Sequence, residues 1–231
     1  LSEKGPILVV SPHPDDAAFF MGGTLATRLR EGHRVDLWCM SGGERGTVLS
    51  FLSSARKSLA ALRSAELRAG SPAGANLRLR EFAWPDGCVR IEQSEIAELD
   101  RAHAELGSPE YVEVFLPEYD RRHALFRHRD HLCCGEGLRT WIRAQPWGAG
   151  AILRYYHSKA GDYRVAVSDE VHRDALTALR KHRSQYGVSA FPPALLVVGE
   201  YLRERWLRRE GFAIGAARAE SFRTEANSTL V

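Results

Sequence analysis

Two places in this chain hold histidine and aspartate at spacings that could bind a cation. The first is Pro12-His13-Pro14-Asp15-Asp16, which directly follows the apolar run Ile7-Leu8-Val9-Val10. Its two prolines rule out both helix and continued sheet pairing, so an imidazole and two carboxylates sit on stiffened backbone. These are suitable ligands for zinc or a similar divalent ion. The plainer reading is a turn whose Asp caps the next helix; the doubled Asp after His-Pro, at a strand end, favours the cation. The second place is His128-Arg129-Asp130-His131. Taken alone, two histidines three apart often just share one helix face. His13 and Asp16 with one histidine of this pair make a two-histidine, one-carboxylate set, which leaves a fourth position open as catalytic zinc sites do. Water there has its pKa lowered to roughly 7. Asp15 could then take its proton as general base, and the spare histidine could stabilise an oxyanion.

These clusters need elements that bring them together. Ile7–Val10 reads as a strand buried on both faces. Gly23–Glu31 has helical spacing with Gly32 as C-cap, and Arg34–Met40 is a second strand ending at Ser41-Gly42-Gly43-Glu44-Arg45-Gly46. Strand, helix and strand with short connections imply parallel pairing. Helices are expected over Ser50–Ala69, Ile91–Leu106, Leu132–Ile142, Asp169–His182 and Leu195–Arg209, with Phe191-Pro192-Pro193 a stiff connector before the last. Strands are expected over Leu77–Trp84 near a sheet edge, Tyr111–Leu116, Ala151–Tyr156 and Tyr163–Val167, and the tail frays from Asn227. In an open α/β sheet, ligands bind at the carboxyl ends of the strands. The first strand and the Tyr111 strand would deliver both clusters to one rim.

The chain has 231 residues, 44% of them hydrophobic and 26% charged, enough for one well-buried domain spanning residues 1–231 and too few for two. A net charge of +3 with acidic and basic residues interspersed leaves no nucleic-acid footprint. Only Lys4, Lys57, Lys159 and Lys181 are Lys; the other basic residues are Arg. The four cysteines, Cys39, Cys88, Cys133 and Cys134, form no Cys-x-x-Cys pair, which argues against a disulfide framework and for a reducing, cytoplasmic setting. No apolar run approaches the roughly 20 residues that span a bilayer, and no leader-like stretch opens the sequence. No membrane partner is expected.

Pro12-His13-Pro14-Asp15-Asp16 and His128-Arg129-Asp130-His131 resemble the paired signatures of the PIG-L/LmbE-type metal-dependent deacetylases. Ser41–Gly46 is similar to that family's Gly-Glu-x-Gly loop, Arg63-Ser64-Ala65-Glu66 to its Arg-x-x-Glu helix and Pro85-Asp86-Gly87 to its Asp-Gly turn. His182-Arg183-Ser184-Gln185 and Ala219-Glu220-Ser221-Phe222 resemble its His-x-Ser-Gln and Ala-Glu-x-Phe segments. The resemblance implies a single Rossmann-like α/β domain, its mostly parallel sheet covered by helices on both faces. It implies that His13, Asp16 and His131 hold Zn2+ or another divalent metal, that Asp15 activates water, that His128 faces the tetrahedral intermediate, and that Asp130 orients His128. Glu44, Arg63 and Asp86 fall where relatives contact the sugar. The implied reaction is hydrolysis of an N-acetyl group from an aminosugar conjugate, a small molecule such as an N-acetylglucosamine-containing metabolite or natural-product intermediate.

Three positions depart from the family pattern. Ala17 replaces an acidic residue after the double Asp, Arg129 replaces a Pro, and Phe126 stands where some relatives have a Tyr whose hydroxyl assists the intermediate. Phe cannot donate a hydrogen bond, so that role falls to Tyr119 or Tyr156 or is absent. The arginines near the clusters (Arg45, Arg121, Arg122, Arg127, Arg129) suit an acidic, phosphate-bearing substrate; a solvated surface in an Arg-biased chain explains them equally well. Other readings are an amidase acting on a thiol conjugate or another non-sugar amide, and a non-catalytic binding module, which would usually have lost the base or a ligand. His157 reads as surface or structural, and His182 has no assigned job.

Overall fold

A computed structural model describes residues 4–45, 53–71, 76–87, 89–125, 127–159, 161–182, 184, 203–211 and 213–225. Strand β1 (Lys4–Ser11) carries the Ile7–Val10 run and is buried from Ile7 to Ser11. Because side chains alternate along a strand, Ile7 and Val9 enter one core and Leu8 and Val10 another. Each core lies between the sheet and a helical layer, so helices cover both faces.

Helix α1 (Asp16–Arg30) follows the proline loop, and β2 (His33–Ser41) returns parallel to β1. Gly32, at φ 87°, makes the turn between them. Helix α2 (Ser53–Gly70) leads to β3 (Leu77–Trp84), and α3 (Gln93–Glu105) leads to β4 (Glu113–Pro117). Helix α4 (Arg129–Ala144), β5 (Ile152–Tyr156), β6 (Tyr163–Ala166), α5 (Asp169–Leu179) and β7 (Ala219–Glu225) complete the named elements. Residues 203–211 are also helical.

The sheet order is β3-β2-β1-β4-β5-β7-β6, parallel from β3 to β5, with β7 antiparallel to both β5 and β6. The chain moves outward from β1 to β3, then crosses to the other side of β1 for β4. That reversal places a crevice beyond the carboxyl ends of β1 and β4. The loop bearing His13, Asp15 and Asp16 opens there, and so does the segment leading to His128 and His131. Gly135 lets α4 lie close to β4, since a side chain at that position would collide with the Pro117 carbonyl.

Two expectations are corrected. The helix read from Gly23 begins at Asp16, and the chain's last strand, β7, lies where no strand was expected. The expected edge position of β3 holds. Gly46, the first three residues of the expected helix from Ser50, Phe126, the Phe191-Pro192-Pro193 connector and residues 195–202 of the last expected helix lie outside the described residues.

Candidate active site

The Pro12–Asp16 loop is fixed by short-range bonds before any ligand arrives. Ser11 Oγ donates to the His13 carbonyl at 2.6 Å and accepts from the Ala17 amide at 3.1 Å. The Ser41 hydroxyl, at the end of β2, donates to the Pro12 carbonyl at 2.9 Å. The His13 amide donates to Asp16 Oδ2 at 2.8 Å, which turns that carboxylate back over the loop.

The two clusters meet. Asp16 Oδ2 lies 3.1 Å from His13 Nδ1 and 3.2 Å from His131 Nε2. The His128 ring centroid is 4.9 Å from that of His13 and 5.2 Å from that of His131. Ring nitrogens of the three histidines lie within 4.8 Å of one another. His131 is buried, and its Nδ1 has no hydrogen-bond partner among the described residues. His128 is exposed at the start of α4. Two imidazole nitrogens converging on a carboxylate oxygen fit a divalent cation.

The other ring nitrogen of His13 faces two carboxylates: Nε2 is 3.2 Å from Asp86 Oδ1 and 3.4 Å from Asp130 Oδ2. A proton held on Nε2 by these groups leaves Nδ1 available to a cation, the arrangement that carboxylate partners impose on metal-ligating histidines. Asp130 also accepts from the Gly87 amide at 2.6 Å and the Val89 amide at 3.2 Å. Asp86 Oδ2 accepts from the Arg45 amide at 2.6 Å, and Glu44 Oε1 from the Asp86 amide at 2.9 Å, so the loops after β2 and β3 are laced together.

Two of the expected site carboxylates therefore face His13. Asp130 braces His13 and makes no hydrogen bond to His128; residues two apart at a helix start point to different sides. Asp86 braces the same ring. Arg63 is 1% exposed and donates to the Gly43 carbonyl, near enough to Asp15 to favour its carboxylate. Two further histidines lie near these groups. His157 is buried, with its ring 5.4 Å from that of His131 and 4.4 Å from that of Phe20, and adopts φ 65°. The available signal was its position at the end of β5, beside β4. His182 is buried close to Gly70. Its neighbour Ser184 is held by Glu66, which accepts from the Ser184 amide at 2.8 Å and its hydroxyl at 2.5 Å. This joins the Arg-x-x-Glu helix to the His-x-Ser-Gln segment.

Burial and the adjacent Asp16 carboxylate push the Asp15 carboxyl up to about 6, against the pull of His13 and Arg63. Burial would raise Asp16 too, but His131 and His13 hold it well below the usual range. Burial tends to lower His13, and the Asp16, Asp130 and Asp86 carboxylates raise it well above an ordinary histidine. Although His128 is exposed, partial desolvation and the other two imidazoles lower it, which favours its neutral form. Of the two tyrosines that could replace the hydroxyl missing at Phe126, Tyr156 is fully buried and donates to the Val10 carbonyl at 2.8 Å. Tyr119 packs on Tyr155, with Arg139 and Arg223 over its ring.

Residues 8–142 match the family model described as PIG-L, GlcNAc-PI de-N-acetylase. The probable N-acetyl-alpha-D-glucosaminyl L-malate deacetylase 2 of Bacillus cereus is 28% identical over 188 residues, covering 78% of this chain and 83% of the relative. The Bacillus anthracis protein of the same name is 26% identical over 227 residues, covering 90% and 94%. The N,N'-diacetylchitobiose deacetylase of Pyrococcus horikoshii superposes with a TM-score of 0.78 at 23% identity, over 96% of this chain and 84% of that one. Among the described residues no helix is long and apolar enough to cross a membrane.

Proposed function

The chain belongs to the PIG-L family, and from that premise we propose that it hydrolyses the N-acetyl group of a small aminosugar conjugate using zinc held by His13, Asp16 and His131. The observation that carries this reading is the Asp16 carboxylate between His13 and His131, at 3.1 and 3.2 Å, with Asp15 next to it. Two nitrogens and one oxygen suit zinc and leave a position open. When bound, the cation supplies Lewis-acid polarisation of the acyl oxygen and makes a neighbouring water more acidic.

Asp15 accepts the proton of the attacking water. With its carboxyl raised to about 6 it is ionised at neutral pH, yet basic enough to bind that proton in the transition state. The water oxygen bonds to the acyl carbon, the C–N bond breaks, and acetate and the free amine leave. The proton on Asp15 is passed to the departing nitrogen. His128, exposed but partly desolvated by its surroundings and kept neutral with the help of its two neighbouring imidazoles, can donate its N–H to the developing oxyanion. Asp86 and Asp130 hold the His13 ring throughout.

The conjugate carries an acidic group in this reading. Arg127 and Arg129 flank His128 and are exposed, and Arg45, on the loop after β2, is exposed too; the names of the two Bacillus relatives include malate, an anion. Guanidinium forks match carboxylate and phosphate.

Acetate release by Asp15→Ala tests the mechanism. Turnover should fall by about two to four orders of magnitude, the usual contribution of a general base, with zinc content unchanged. Near-wild-type turnover removes the assignment. Side-by-side assay of free, malate-linked and phosphorylated N-acetylglucosamine tests the acidic group; equal kcat/KM on all three rejects it.

A further inference from the structure

Helix α1 is broken near its middle. Met21 sits at φ −145°, ψ 22°, outside helical values. In an unbroken helix the Gly23 amide would donate to the Phe19 carbonyl, four residues back. Here the two groups turn to a pair of buried charges from elsewhere in the chain. Glu220, at the start of β7, accepts from the Gly23 amide at 2.9 Å and from the Thr24 amide at 2.6 Å. Arg203 Nε donates to the Phe19 carbonyl at 2.8 Å, and Arg203 Nη2 to Glu220 Oε1 at 2.9 Å. The two side chains are 0% and 1% exposed. Glu220 thus caps the second half of α1 as an Asp or Glu caps a helix start, and Arg203 caps the end of the first half.

Gly22 and Gly23 make room for this. A Cβ on Gly23 would fall 2.8 Å from Val167 Cγ2 and 3.0 Å from Glu220 Oε1, and one on Gly22 3.3 Å from Ala175 Cβ. The short first half carries Asp16 at its start and Phe20 at its end, with the Phe20 ring 6.3 Å from that of His131. Ala17 and Phe20 seat that half on the core, and since the helix ladder is interrupted its two ends fix it further: the Ser11 contacts at one, the Arg203–Glu220 pair at the other.

We propose that Glu220 and Arg203 are positioning residues for the cation-binding loop, fixing through the break in α1 where Asp15 and Asp16 stand. This rests on the reading of Asp16 as a metal ligand. Glu220→Gln removes one acceptor oxygen and aims an NH2 group at existing donors. Arg203→Lys keeps the charge but loses the fork that reaches both Phe19 and Glu220. Zinc affinity is read by competition with a chromophoric chelator, without any turnover, alongside kcat and KM. Both variants should bind zinc about tenfold more weakly or worse, the usual effect of disturbing the support of a metal ligand, and lose kcat with little change in KM. Asp36→Asn is the control: Asp36 is equally buried, accepting from Arg78 and Tyr111, but by the alternation of β2 it faces the core opposite α1. It should keep wild-type zinc affinity.

Folded Arg203→Lys or Glu220→Gln protein with wild-type zinc affinity and kcat overturns the proposal. So does an Asp36→Asn protein that loses zinc as readily as they do, because the loss would then follow stability alone. If Glu220→Gln fails to fold, Arg203→Lys decides. Wild-type protein that binds no zinc would overturn the ligand reading itself, and this proposal with it.

Discussion

Asp86 Oδ1 lies 3.2 Å from His13 Nε2, while Asp16 Oδ2 lies 3.1 Å from His13 Nδ1. The imidazole is held from both nitrogens, and the two carboxylates have different tasks. Burial would raise Asp86, but His13 and the Arg45 amide bring it down to about 2, so it is an anion throughout the neutral range. Asp86→Asn should weaken zinc binding by roughly 10- to 100-fold and lower kcat at limiting zinc, with saturating zinc restoring much of it. A residue that only contacted the sugar would raise KM and leave zinc affinity alone. Titrating zinc into the variant separates the two.

His128 and His131 lie at similar ring distances from His13, 4.9 and 5.3 Å, so proximity alone does not separate ligand from oxyanion partner. Burial and the Asp16 contact favour His131 as the ligand in the proposed mechanism. His131→Ala should abolish stoichiometric zinc binding. His128→Ala should keep zinc and lose turnover by about two to three orders of magnitude, as removal of an oxyanion donor does. Zinc content and acetate release from the two purified variants check this, and loss of zinc in His128→Ala would reverse the roles.

The site's scaffold was legible wherever the signal was local. The Ile7–Val10 run and its proline stop gave β1 and its loop, and the strand–helix–strand order gave the parallel sheet whose crossover brings His131 to Asp16. What escaped notice depends on distant partners. Strand β7 carries the charged residues Glu220 and Arg223, yet Glu220 is buried against α1 and Arg223 pairs with buried Glu118 at 2.6 Å. The resemblance pairs Asp130 with His128, and only the fold shows that its carboxylate turns to Gly87, Val89 and His13. The break at Met21 has a local mark in Gly22-Gly23, but the charges that cap its two halves come from nearly two hundred residues away.

Acid should destabilise the fold through His182. Burial, then Arg63, lowers its imidazole to about 4 from an ordinary 6.5, and the residue is 1% exposed. The unfolded chain therefore binds a proton that the folded one refuses between those values. Stability from this group is intact above about 6.5 and is lost as pH falls towards 4, by on the order of 3 kcal/mol if the whole shift is realised. Urea midpoints measured from pH 7 to pH 4 should fall steeply in the wild type. His182→Phe should flatten part of that fall; an unchanged slope would show that the ring does not titrate as its burial requires.

The hydroxyl absent at Phe126 is not supplied by Tyr156. Its O–H is spent on the Val10 carbonyl at 2.8 Å, inside the core next to β1, and burial pushes its ionisation well above the ordinary range. A group that neither reaches solvent nor gives up its proton cannot act as an acid on substrate. Tyr156→Phe keeps the ring, which stacks 5.9 Å from Phe20, and removes only the oxygen. It leaves the Val10 carbonyl short of one partner, so the variant should lose about 1 kcal/mol of stability while kcat and its pH profile stay at wild-type values. A fall in kcat of tenfold or more, with zinc affinity and KM unchanged, would place this hydroxyl in the reaction after all. Stopped-time acetate assays across pH 5 to 9, paired with thermal melts, distinguish the outcomes.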